Sequence, residues 1–326
     1  MSLARRSLLR LMLAAPVVPA LAPSRAAAGH PVFRPPDEAA RRAALGPLDD
    51  LAPALRAAFT PTTDDRPIPD PGPDDWLGLH VEPGQSFADF KRERLNRPTK
   101  ARDKIYVLPI GPLTGDGMPD LDVLLDFTGR YFQLPTVRLE PTTMRDLRAR
   151  SRSRRTYRQF YTRDILASLR ARVPADAYCL IAVTADDLYP HPDWNFVFGE
   201  ATLVERVGVY GFARYDPAFY GEPRGLDAPA KILLRGLKVL AHEVGHMFGI
   251  QHCIHFHCVM NGCNHLAESD ASPLHPCPVC LRKLHHAVGF DPAARERRLG
   301  EFFRARGLLV DAARGERRHA LISAAR

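Results

Sequence analysis

At 326 residues, with 45% hydrophobic and 25% charged side chains, the chain has the make-up of an ordinary soluble globular protein able to bury a substantial core in one or two domains. Its formal charge of +8 overstates its basicity, because residues 1–28 hold four arginines and no acid, and the remainder carries only +4. A nucleic-acid partner therefore loses its main support.

Residues 1–28 read as an export signal. Arg5-Arg6 precedes an apolar run over 11–23, and Ala26-Ala27-Ala28 supplies an A-x-A cleavage site. The run is too short to stay behind as a permanent membrane anchor. The expected destination is the periplasm or the exterior by a twin-arginine-like route, with the cytoplasm as the alternative. Residues 29–74 are rich in proline, alanine and charge; they predict a Pro-rich arm or linker with short helices over 37–45 and 51–59. There is no cysteine before Cys179, so this arm cannot silence a metal with a thiol.

Residues 104–110 are apolar and β-branched enough for a buried strand. Leu121, Leu124, Leu125, Phe127, Tyr131 and Phe132 then recur at helical spacing, and 136–139 follow as a second strand. Over 145–158 the chain is densely basic, with Arg148, Arg150, Arg152, Arg154 and Arg155. Tyr157, Phe160 and Tyr161 fall at no spacing of a base-stacking platform, so this run predicts a solvated loop ahead of a helix over 164–172. Residues 177–184 read as a central strand in which Cys179 is a buried apolar residue. Two shorter extended stretches, 196–203 and 207–214, are split by a charged turn.

Pro229 opens a long helix at a position where its missing N–H costs nothing. The helix ends in His242-Glu243-Val244-Gly245-His246, and a spacing of four brings both imidazoles to one face, ready for a single metal. Glu243 sits beside the first histidine, able to act as general base without being a ligand. The pattern continues through Gly249 to His252, completing H-E-x-x-H-x-x-G-x-x-H. A straight helix would carry residue 252 away from the metal, and glycine permits the required turn at least steric cost. Three neutral histidines leave a fourth position open, as catalytic zinc requires. His255, His257 and His265 compete for the third place, but the glycine three residues earlier selects His252.

Four cysteines are interleaved with this motif. Cys253 follows His252 directly, Cys258 comes after four residues, and Cys277-Pro278-Val279-Cys280 closes the stretch. Two paired clusters across a loop match tetrahedral thiolate ligation of a closed structural zinc, in preference to disulfides. Cys263 has no place in this pattern and reads as a spare thiol. After Cys280, Leu281, Leu284 and Val288 suggest one helix, and Asp291-Pro292 begins another through Phe303.

The combination resembles the archaemetzincin family, whose signature joins the extended histidine motif to C-x4-C, C-x-M and C-x-x-C. Sixteen residues separate Met260 from Cys277, one fewer than in that signature. Asp75-Trp76, Asp187-Leu188-Tyr189-Pro190, the stretch over 194–199 and Phe212-Ala213-Arg214-Tyr215 are similar to the family as well. The resemblance implies an α/β, metzincin-like zincin fold: a mixed twisted sheet, an active-site helix, and a mostly irregular or helical C-terminal part held by the four-cysteine zinc. The peptidase domain would span 75–309, followed by a polar tail over 310–326. Met260 would form the methionine turn beneath the metal, and an edge strand before the active-site helix would pair with extended substrate. The implied activity is zinc-dependent peptide hydrolysis with two Zn2+ per chain, one catalytic and one structural. The alternative is a non-catalytic, zinc-stabilised protein that holds peptides without cutting them.

Overall fold

The computed structural model describes residues 32–93, 96–115, 118–154 and 156–326; the expected export signal over 1–28 lies outside them. In chain order the elements are α1 (Glu38–Leu45), α2 (Pro53–Phe59), α3 (Trp76–Leu79), α4 (Phe87–Arg92), β1 (Lys104–Ile110), α5 (Leu121–Phe132), β2 (Thr136–Arg138), β3 (Ser151–Arg154), β4 (Tyr157–Tyr161), α6 (Thr162–Arg170), β5 (Ala177–Thr184), β6 (Asp187–Tyr189), β7 (Gly199–Ala201), β8 (Val207–Gly211), α7 (Ala228–Met247), α8 (Leu266–Ala271), α9 (Pro278–Val288), α10 (Pro292–Ala305) and α11 (Leu309–Ala324).

The main sheet has the order β2-β1-β5-β8-β7. All pairs are parallel except β7 against β8, where Gly199 faces Tyr210 and Ala201 faces Gly208. Strand β5 is buried along its whole length, which is why it reads as a continuous apolar run: a parallel central strand is covered on both faces. The period-two alternation sorts its side chains. Cys179, Ile181 and Val183 join the core beneath α5 and α7, while Leu180 and Ala182 pack with Ile165, Leu166 and Leu169 of α6. Helix α7 is buried on most sides and lies against β7 and β8, so its C-terminal half is held at the antiparallel edge of the sheet.

Three expectations are corrected. The basic run over 145–158 is not a solvated loop: Ser151–Arg154 and Tyr157–Tyr161 form an antiparallel hairpin whose second strand pairs with β6. Its arginines are used locally, Arg152 reaching the carbonyls of Pro192 at 2.6 Å and Asn195 at 3.0 Å, and that of Trp194 as well. The 29–74 segment is no free linker where described. Helices α1 and α2 do form, but Ala58 and Phe59 are buried and α2 packs on α9, α10 and α11. Residues 310–326 are no polar tail either, since α11 lies along α10 with Ala312 and Ile322 fully buried. No helix among the described residues is long and apolar enough to cross a membrane.

Candidate active site

Helix α7 presents His242 and His246 one turn apart. Just beyond its end Gly249 takes φ +81°, a conformation that a residue with a Cβ adopts at a cost, and the chain turns back to bring His252 alongside. The His252 ring centroid lies 5.2 Å from that of His242 and 5.1 Å from that of His246. One nitrogen from each ring falls within 4.8 Å of the others.

The outward nitrogens fix the tautomers. His242 Nδ1 faces the Val259 carbonyl at 2.9 Å, His246 Nδ1 faces that of Ile250 at 2.7 Å, and His252 Nδ1 faces Glu82 Oε1 at 2.9 Å. Carbonyl and carboxylate oxygens only accept, so each Nδ1 carries a proton, which in a neutral ring leaves the lone pair on Nε2. His242 Nε2 and His246 Nε2 lie 2.9 Å apart, and two lone pairs cannot bond one another. Burial, followed by the neighbouring imidazoles, lowers His242 to about 3 and takes His246 well below the ordinary histidine range. Neutral rings with converging lone pairs and oriented outer N–H groups make a donor set suited to zinc.

Glu243 lines the same cleft, a cavity of about 570 Å³ bounded by α7, by the 194–203 strand segment and by the 259–273 segment. Burial, and then the charge of Glu200, push its carboxyl well above the usual carboxylate range. Its side chain lies against the edge strand at Gly199. A Cβ added there would stand 2.7 Å from Glu243 Oε1 and 2.8 Å from its Cγ.

The four cysteines form a second, closed cluster with all sulfurs within 4.8 Å of one another. Cys253, Cys258, Cys277 and Cys280 are buried and free of disulfides, with 3.6 Å between the sulfurs of Cys253 and Cys277. Hydrogen bonds from Cys258, Cys277 and Cys280 hold the Cys253 thiol well below its ordinary pKa. The backbone N–H groups of Met260 and Cys277 donate to Cys258 Sγ at 3.4 and 3.1 Å. Buried sulfurs that attract donors and lack apolar spacers suit a thiophilic cation such as zinc.

A family model described as Peptidase family M54 matches residues 133–286. Archaemetzincin-2 of Macaca fascicularis is 35% identical over 275 residues, covering 75% of this chain and 76% of the relative. The human archaemetzincin-2 gives the same identity and coverage.

The chain belongs to the archaemetzincin family.

This is a family of zinc metallopeptidases, and peptides or proteins are accordingly the substrate class. The crystal structure of an archaemetzincin from Methanopyrus kandleri aligns with 26% identity and a TM-score of 0.43, covering 58% of this chain and 97% of that one.

Other residues of interest lie around the two clusters or apart from them. Met260 is buried, and its Sδ would lie 2.5 Å from a Cβ at Gly245, so the thioether packs on the backbone of α7 between the two helical histidines. Asn261 organises the loop: its Oδ1 accepts from Cys258 N at 2.7 Å, and its Nδ2 donates to the carbonyls of Cys253 and Phe256 at 2.6 and 2.9 Å. Cys263 lies outside the thiolate cluster, half-buried beside Ser272, its thiol pushed up to about 12, first by burial. Cys179 is fully buried in β5. His265 bonds Asp75 at 2.9 Å and caps α8. Asp75, His265 and Glu268 also approach one another, but they are committed to hydrogen bonds that tie α3 to α8.

Two functional residues carried no signal in the sequence. Glu82 orients His252 and also accepts from Trp76 Nε1 at 2.9 Å. It stands 170 positions from its histidine, in a proline-containing loop with no periodicity. Gly199 is legible only once the edge strand is known to run beside Glu243.

Proposed function

We propose that this archaemetzincin hydrolyses peptide bonds, with His242, His246 and His252 holding a catalytic zinc, Glu243 as general base, and Cys253, Cys258, Cys277 and Cys280 holding a second, structural zinc. The observation that carries the reading is the set of three Nε2 lone pairs turned toward one point, with every Nδ1 committed outward, in a cleft that Glu243 also lines. When bound there, zinc supplies Lewis-acid polarisation of the scissile carbonyl and of the attacking water. Glu243 takes the proton that the water loses and returns it to the departing amine. Its burial favours proton uptake, and its packing on Gly199 limits the positions the carboxyl can take. Val259, Ile250 and Glu82 keep the imidazoles in register through their Nδ1 protons. Met260 gives this centre a packed floor, as the methionine turn of a metzincin-like site would, without serving as a ligand. The short strand β7 offers an extended peptide a pairing edge beside Glu243.

Replacing Glu243 by Gln keeps the shape and removes the base. The expected result is loss of peptide hydrolysis with metal content near two zinc per chain, read by elemental analysis of anaerobically purified protein. Full activity in Glu243→Gln would overturn the assignment of the base. One zinc or fewer in the wild type would overturn the two-site reading.

A further inference from the structure

The cleft does not stop at the histidines. Its lining also includes Val239 and Lys238, one turn before His242 on α7, together with Ser269, Ser272 and Pro273. Positions 238 and 242 share a face of the helix about 6 Å apart along its axis. Val239, Val259 and Pro273 give this part of the cleft apolar lining, and Asn261 and Asn264 give it polar lining.

Lys238 is only 7% exposed. Its Nζ donates to the backbone carbonyls of Ser269 at 3.0 Å and Asp270 at 2.9 Å, which uses two of its three N–H groups. Among the described residues no carboxylate lies within ion-pair distance of it. The Asp270 side chain is committed to Arg235 through two bonds of 2.8 and 2.6 Å. The Ser269 hydroxyl makes no hydrogen bond within the described protein and lines the same end of the cavity. Burial of a cation with no carboxylate in direct contact is costly, and the charges of Asp270 and Asp311 reach Lys238 only through space, while Lys238 and Ser269 line the same cleft as Glu243.

We propose that the part of the cleft lined by Lys238 and Ser269 is a specificity pocket for an acidic substrate side chain, Asp or Glu, at one position next to the scissile bond, its carboxylate received by these two residues. The inference rests on the peptidase reading of the cleft. The stem of the side chain would lie between Val239 and Val259, and the carboxylate would give Lys238 a counter-charge in direct contact, which none of the described carboxylates provides. An uncharged amide of the same shape leaves the ammonium unpaired, so Glu is discriminated from Gln by charge, not by size.

Two arms test this. In the first, zinc-loaded wild type is assayed against a peptide series in which Glu or Gln is moved through the positions flanking the cleaved bond. A preference for Glu at a single position is expected, and in Lys238→Met the Glu/Gln ratio of kcat/KM should fall by about tenfold or more. In the second, the same peptides are titrated calorimetrically into Glu243→Gln protein, which holds peptides without cutting them. Glu peptides should bind more tightly than their Gln counterparts. Equal binding of the pair at every position overturns the pocket assignment, whatever the cleavage data, and does so without the Lys238 variant if that variant fails to fold. Tighter Glu binding with no cleavage of any peptide by wild type would sustain the pocket and sink the peptidase reading instead.

Discussion

The contact between Gly199 and Glu243 offers a test of how closely the general base is positioned. In Gly199→Ala the new methyl would lie 2.7 Å from Glu243 Oε1, 2.8 Å from Cγ and 2.9 Å from Cδ. Ordinary contact begins near 3.4 Å, so the side chain must retreat by about 0.7 Å. Because Cγ is involved as well as the terminal oxygen, rotating the carboxyl alone does not relieve the overlap, and the whole side chain has to swing. A displacement of this size at a reacting group costs roughly 10- to 100-fold in rate. If the side chain stays in place, the overlap is instead absorbed as strain of about 1–3 kcal/mol, seen as a fall in melting temperature of about 2–4 °C per kcal/mol. The two outcomes separate in one set of measurements: kcat and KM on a fixed peptide, zinc content, and a thermal melt. The expected result is a lower kcat with KM, zinc content and melting temperature little changed. A kcat within about twofold of wild type would refute the view that this strand holds Glu243 in position.

Glu82→Ala should weaken catalytic zinc about 10- to 100-fold, because it removes the acceptor that fixes the His252 tautomer. Competition with a chelator measures this, and unchanged affinity would show that His252 needs no orienting partner. Cys277→Ser should lower both stability and zinc retention at the histidines, since Cys253, whose sulfur lies 3.6 Å from that of Cys277, adjoins His252 and donates its backbone N–H to the Met260 carbonyl at 2.8 Å. A variant that loses one zinc while the histidine site keeps its full affinity would show that the two centres are independent.

Much of the site was legible because its chemistry is local. The extended histidine motif and the cysteines occupy residues 242–280, so spacing alone brings the donors together. The regular elements with strong apolar periods were legible too: β1, α5 and β5 lie where the sequence puts them. What escaped depends on partners distant in the chain. The hairpin β3–β4 is hidden by its arginines, which suggest solvent although Arg152 spans to carbonyls 40 or more positions away. Helix α11 has few apolar residues because it packs through small ones: Gly315 lies so close to α10 that a Cβ would meet the Glu296 carbonyl at 3.1 Å. Its buried arginine, Arg314, is matched by Glu296 at 3.1 Å. A low hydrophobic content therefore disguises a tightly packed helix as a tail.

The docking of α2 has a bearing on the order in which the molecule is completed. The surfaces that receive α1 and α2 are contributed by α4, α9, α10 and α11. Arg318 bonds the carbonyl of Thr60 across 258 positions, and Arg282 bonds that of Leu45 at 2.6 Å. Helix α2 lies far ahead of α9, α10 and α11 in the chain, so its docking requires closing a long loop and must await those helices. Until then Ala58 and Phe59 remain uncovered, exposing a sticky apolar face on a growing polypeptide. A premature stop before α11 would strip α2 of one of its three covering helices, and of the Arg318 bonds with it, although both metal clusters would be encoded in full.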